Sequence, residues 1–309
     1  MTIYPPRTTY SFVSLVLTIA IVPYDKTVTD FSDWGTPTNL GCVVNSAAGE
    51  QGPALSKDGL SLYFGSNRPG GFGATDIWVS QRTSDDDPWG PPVNLGSLIN
   101  TSGVENVPAL SRDGHLLFFN SDRPGTSGIG DIWVSFRNHI HDDFAWQPPV
   151  NLGPGVNSAL LDAGAGYLAN EEAGLPLLFF GRGTTPADTD IYVSQLQPDG
   201  LFGDAALVPE LSSANSDQRP SVRFDGHELF LGSDRLGTLG LSDVWVSIRQ
   251  TVFDVWRPPT NLGTPVNSAF GEMQPNISAN RLTLFFVSNR PGGCVAFDIY
   301  MTTREKTKR

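Results

Sequence analysis

Five acidic residues recur at nearly constant spacing in this 309-residue chain: Glu50, Glu105, Asp162, Asp217 and Glu272, at steps of 55, 57, 55 and 55. Five arginines keep step with them: Arg68, Arg123, Arg182, Arg235 and Arg290. Carboxylates gathered around one mouth repel each other unless something compensates. Two compensations are open. A hard cation such as Ca2+, with about 6–8 oxygen ligands, would make the ring a metal or ligand site. Bidentate pairing of each acid with its arginine would make it a structural ring that needs no ligand. A weaker metal signal is His139 and His141 beside Asp142 and Asp143 in "RNHIHDDFAW", a His-x-His of the kind that suits a transition metal. The matching loop "RTSDDDPWG" is equally acidic without histidine, which favours a solvated loop. The chain has no Gly-x-Ser-x-Gly elbow, no His-Glu-x-x-His and no phosphate-binding glycine loop. A glycosidase would need two carboxylates about 5–9 Å apart, one with its pKa raised.

The elements that position these residues follow from a five-fold repeat. "NLGCVVNSAAGEQGPALSKDGLSLYFGSNRPGG" returns as "NLGSLINTSGVENVPALSRDGHLLFFNSDRPGT", then more faintly twice, then as "NLGTPVNSAFGEMQPNISANRLTLFFVSNRPGG". A phrase D-[IV]-[WY] closes each copy, with its aspartate at Asp76, Asp131, Asp190, Asp243 and Asp298. Each copy reads as four strands. "PALS" and "SLYFGS" are joined by an Asp-Gly hairpin turn, a Pro-Gly loop leads to "DIWVSQR", and "WGPPVNLG" is the fourth. Such units cannot bury both sheet faces alone, so the expected fold is an all-β, five-bladed β-propeller. The first fourth-strand phrase, "WGTPTNLG" at 34–41, precedes every other strand, and the last copy stops at "DIYMTT". The N-terminal strand should therefore complete the last blade. Cys42 and Cys294, the only cysteines, fall in loops on one face of that blade, either as a disulfide across the closure or as two buried thiols.

In this frame the five acids begin the innermost strands at the channel mouth, and the five arginines end the neighbouring strands on the same upper face. Counting the D-[IV]-[WY] aspartates, that face carries ten repeat acids against five arginines, an excess that favours cationic ligands. Those aspartates are expected to bond amides of the glycine-rich loop before them. Trp34, Trp89, Trp146 and Trp256 recur at the fourth strand, which says packing. Copy three breaks the symmetry: Gly164, Ala165 and Gly166 stand where other copies carry larger residues or proline, which makes its sector the expected place for a pocket or a decayed repeat.

The formal charge of −12 sets aside nucleic acid and anionic membrane surfaces as partners. Residues 11–22, "SFVSLVLTIAIV", are too short for the about 20 residues of a helical span and have the length of a signal-peptide core. The expected division is a leader over 1–33, a propeller over 34–303 and a basic tail over 304–309, exported and monomeric.

The pattern Glu/Asp-x-x-Pro…Ser-x-Asp-Gly…Leu-[YF]-Phe…Ser-[ND]-Arg-Pro-Gly…Asp-Ile-[WY] resembles the WD-like repeats of TolB-type propellers, and those that precede OmpA-type domains in envelope proteins. The chain has five units where TolB-type propellers commonly have six. The resemblance implies a non-catalytic exported propeller that binds a protein, an envelope component or a small ligand through its upper face. The alternative it implies is a hydrolase of lactone or phosphotriester substrates, with Ca2+ or another divalent cation held in the channel by the acid ring.

Overall fold

The computed structural model describes residues 31–169, 172, 174–294 and 297–307. The expected leader falls almost wholly outside the described residues. Among the described residues every regular element is a strand, and no helix is long and apolar enough to cross a membrane.

The chain opens with β1 (Thr38–Asn39) and then builds five blades. Blade I holds β2 (Glu50–Leu55), β3 (Ser61–Ser66), β4 (Asp76–Gln81) and β5 (Val93–Asn94). Blade II holds β6 (Glu105–Leu110), β7 (Leu116–Ser121), β8 (Asp131–Phe136) and β9 (Val150–Asn151). Blade III holds β10 (Leu161–Leu168), β11 (Leu177–Gly183), β12 (Asp190–Gln195) and β13 (Ala206–Leu207). Blade IV holds β14 (Asp217–Val222), β15 (Glu228–Ser233), β16 (Asp243–Ile248) and β17 (Thr260–Asn261). Blade V holds β18 (Glu272–Ile277), β19 (Thr283–Ser288) and β20 (Asp298–Thr303), and β1 pairs on β20 as its fourth strand. The closure inferred from the register of the repeat is therefore the one observed.

Local sequence explains the shape of each blade. The second strands, such as "SLYFGS", are buried along their whole length because a blade lies on both sides of them. Gly59, at φ +79, makes the tight turn after Asp58, and Arg281 at φ +69 takes that conformation in blade V. The fourth strands are only two residues long, shorter than the sequence suggests. In blade I, Pro91 and Pro92 precede β5 and have no N–H to extend the ladder.

The core is not one mass but five layers, each between adjacent blades. Ala54, Tyr63 and Ile77 of blade I, for instance, meet Leu117, Phe119 and Trp133 of blade II. Backbone bonds also stitch blade to blade: the amides of Glu50, Glu105, Asp162, Asp217 and Glu272 donate to the carbonyls of Phe297, Thr75, Gly130, Thr189 and Ser242 in the preceding blade, at 2.6–3.0 Å. The innermost strands β2, β6, β10, β14 and β18 touch their neighbours in a closed ring around the axis.

Candidate functional site

All five ring acids have 0% exposure. Each is ion-paired to its arginine: Glu50–Arg68 at 2.9 Å, Glu105–Arg123 at 3.2 Å, Asp162–Arg182 at 2.6 Å, Glu272–Arg290 at 3.0 Å, and Asp217–Arg235 in very close contact. The backbone amides of Ser46, Thr101, Ser158, Ser213 and Ser268, four residues upstream, fill further lone pairs. Each guanidinium also donates to a backbone carbonyl, as Arg68 does to Val44 at 2.6 Å, and stacks on a ring such as Trp78. The acids are thus consumed by arginine and amide donors, and among the described residues no group of three or more His, Cys, Asp or Glu is arranged to hold a metal. Burial, outweighing the bonds from Arg182 and Ser158, pushes the Asp162 carboxyl upward.

The second set of aspartates serves the loops. Asp76 accepts the Phe72 and Gly73 amides at 2.5 and 3.0 Å and the Asn94 side chain at 2.7 Å, and Asp131, Asp243 and Asp298 repeat the arrangement. These carboxylates are buried too, so the upper face is not the acidic surface that the count of ten acids suggests. Asp190 departs from the rule. Asp188 takes the Thr185 amide at 2.6 Å, and Leu207 faces Tyr192 where Asn94 faces Trp78 in blade I. Burial, followed by the charges of Asp217 and Asp188, pushes the Asp190 carboxyl up.

What faces the axis is the next part of each inner strand. Strand alternation turns the acid into the blade and its successor towards the channel at Gln51, Asn106, Ala163 and Gln218, whereas Met273 packs against the core between blades V and I. A β-bulge follows, with the next residue at positive φ in every blade: Gly52 (58°), Val107 (49°), Gly164 (71°), Arg219 (53°) and Gln274 (58°). A β-branched or long side chain in that region is strained, and strain of this kind gathers at functional sites. Above the bulges lies a cavity of about 260 Å3, whose lining includes Gln51, Asn106, Gln218, Gln274, Asp122 and Arg219. Below them the channel narrows among Pro53, Pro108, Pro220 and Pro275.

The cavity reaches copy three through Ala163 and Gly164, in the sector expected from the sequence, but the small residues there serve the neighbouring strand. A Cβ on Gly166 would lie 2.1 Å from the Pro220 carbonyl, and one on Gly164 2.8 Å from Arg219 Cγ. None of the five ring acids or their arginines lines the cavity. Sequence reasoning missed Arg219, Asp122 and the amides. The available signals were the amide after the acid in three copies and an arginine in "DQRP" where the other copies have Gly, Val, Gly or Gln.

On the lower face, His141 is 81% exposed with Nδ1 3.8 Å from Asp58, while Asp142 accepts the Phe144 amide at 2.9 Å. His139, His141 and Asp142 form no metal-holding group with other described residues. Cys42 and Cys294 are joined as a disulfide, with Cα atoms 5.7 Å apart. Arg304, which the sequence groups with a basic tail, is buried against Trp34 and paired with Glu228 at 2.7 Å.

No protein-family model matches the sequence, and no curated protein matches it significantly. Solved structures do. An α-L-arabinofuranosidase from Podospora anserina, in complex with cellotriose, aligns with TM-score 0.59 at 9% identity, over 90% of this chain and 98% of that one. A GH43 endo-arabinanase from Bacillus licheniformis aligns with TM-score 0.55 at 14% identity, over 81% and 92%. TolB from Acinetobacter baumannii aligns with TM-score 0.49 at 12% identity, over 86% and 57%, too weakly to carry the narrower TolB-type assignment. At such identities the likeness shows the propeller fold. The expectation of a TolB-like binder acting through an acidic upper face, or of a channel-metal lactonase, is corrected. The similar structures are mostly glycoside-hydrolase propellers, and the acids those readings relied on are buried in arginine pairs.

Proposed function

We propose that the protein is carbohydrate-active and seats a saccharide residue in the upper channel cavity. The observation that carries this reading is the lining: side-chain amides from four different blades, Gln51, Asn106, Gln218 and Gln274, converge with Asp122 on one small cavity. An amide offers both donors and an acceptor, the combination that matches neighbouring sugar hydroxyls. The volume lies just under the range of about 300–1,000 Å3 usual for drug-sized ligands, a size for one sugar residue rather than a long chain. Asp122 is the carboxylate of the lining and holds the Val104 amide at 2.8 Å through Oδ1, which leaves Oδ2 for a ligand hydroxyl or a proton transfer. The arabinan- and glycan-processing neighbours support this class, and the disulfide supports placing the protein outside the reducing cytosol.

Calorimetric titration with arabinose, xylose and short arabino- and xylo-oligosaccharides tests it, together with reducing-sugar release from arabinan. The reading expects saturable binding that Asn106→Ala and Gln218→Ala each weaken by about tenfold, the loss of one or two hydrogen bonds. Any release from arabinan should fall with Asp122→Asn. A protein that neither binds saccharide nor cleaves arabinan overturns the reading.

A further inference from the structure

We propose that the cavity selects a saccharide bearing a carboxylate, a uronic acid residue, whose acid group is received by Arg219 at the cavity floor. This rests on the saccharide reading above and adds the charge of the ligand. Arg219 is the bulge residue of β14, and its side chain crosses the channel between two glycines. Its Cγ lies over Gly164, and a Cβ on Gly52 would come within 2.2 Å of its Nη1. The axis is therefore open at those two positions for this one side chain.

Only 9% of Arg219 is exposed, yet Nη1 is buried with no hydrogen-bond partner, and no acid forms an ion pair with it among the described residues. Every other described arginine has an ion pair, a hydrogen bond or an aromatic ring against its side chain, or another interaction of its own, as Arg112 has Phe224 and Arg249 has Trp256. Burial lowers the Arg219 pKa to about 9, so the group still carries its charge at neutral pH. A buried charge with no counter-ion is costly, and an incoming carboxylate removes that cost with two parallel N–H···O bonds. The amides around the rim then face hydroxyls while the acid group goes to the floor.

Two measurements decide it. The first uses the native protein alone: calorimetric affinity for glucuronate and galacturonate against glucose, galactose and arabinose, with inorganic phosphate as the free-anion arm. The uronates should bind at least about tenfold tighter than the neutral sugars, the margin of a charge-assisted pair over neutral bonds, and tighter than phosphate. Equal binding of charged and neutral sugars overturns the inference and leaves the saccharide reading standing. Phosphate binding as tight as uronate overturns the sugar-acid assignment, and no sugar binding at all removes both. The second compares Arg219→Met and Arg219→Lys. Arg219→Met should abolish the uronate preference and raise the melting temperature of the ligand-free protein by about 2 °C or more, because an unpaired buried charge is gone. Arg219→Lys should keep part of the preference. A melting temperature that falls in Arg219→Met while the preference persists would make Arg219 a scaffold residue instead.

Discussion

A carboxylate without solvent is tolerated only where its lone pairs are filled, and Glu272 shows how the repeat does it. Arg290, the Ser288 hydroxyl at 2.7 Å and the Ser268 amide and hydroxyl, both at 2.8 Å, surround it. Removing one partner of such a pair leaves the other charge buried alone, at a cost of about 3–5 kcal/mol. Glu272→Gln should therefore lower the unfolding free energy by that amount, measured by urea titration. The double variant Glu272→Gln/Arg290→Met should recover most of the loss, since neither charge then remains. A single variant as stable as the native protein would show that the ring is not structural. The five-fold recurrence of acid and arginine was legible in the sequence, and so was their possible pairing. Which way each acid points was not: it depends on strand alternation followed by a bulge, and only Pro53 and its counterparts hint at the bulge. That single turn of register is why Gln51 and Gln218 face the cavity and Glu50 and Asp217 do not.

Between elements, the most demanding polar contact joins blades I and II. Asp143, in the loop after β8, reaches across to β3 and accepts from Ser61 and Tyr63, from Gln81 at 2.8 Å and from Arg137 at 2.8 Å. Burial alone would push its carboxyl up, but the bonds from Ser61, Tyr63, Arg137 and Gln81 outweigh it and hold the pKa below the ordinary value. A folded pKa below the unfolded one means that the stabilisation is full above the unfolded value of about 3.9 and lost as the pH falls through the folded value. Asp143→Asn should therefore cost about 3 kcal/mol at pH 7, with Arg137 left unpaired, and the gap should close below about pH 4. Urea unfolding of both proteins from pH 7 to pH 3 measures this, and a gap independent of pH would overturn it. Sequence reading set Asp143 beside His139, His141 and Asp142 in a solvated loop, because nothing local marks it as buried; its hydroxyl partners lie about 80 residues earlier in the chain. The tryptophans of the fourth strands were legible as packing, but their partners were not. Arg82, Arg137, Arg249 and Arg304 each stack on one of them, at 4.2–4.5 Å from the ring.

At the scale of the whole molecule the question is what keeps a ring of five blades shut, since the sheet of each blade packs mainly on those of its two neighbours and one seam joins the two ends of the chain. Backbone bonds such as Gly35 N–H to the Thr303 carbonyl at 2.8 Å and Leu40 N–H to the Ile299 carbonyl at 3.1 Å run along that seam, and three further contacts hold it. β1 pairs with β20 through only two residues, Thr38 with Met301 and Asn39 with Tyr300. Asn45 donates to the Ile299 carbonyl at 3.2 Å and accepts its amide at 2.8 Å. The disulfide between Cys42 and Cys294, 252 residues apart, fixes the same seam covalently. A cross-link over so long a loop removes chain entropy from the unfolded state worth up to about 5 kcal/mol. The double variant Cys42→Ser/Cys294→Ser should therefore melt on the order of 10 °C lower, and reductant should lower the native protein to the same temperature without affecting the variant. Calorimetry with and without reductant reads both. An unchanged melting temperature would mean that the non-covalent contacts of the seam already close the ring, and that the sulfurs add only a covalent limit to how far it opens.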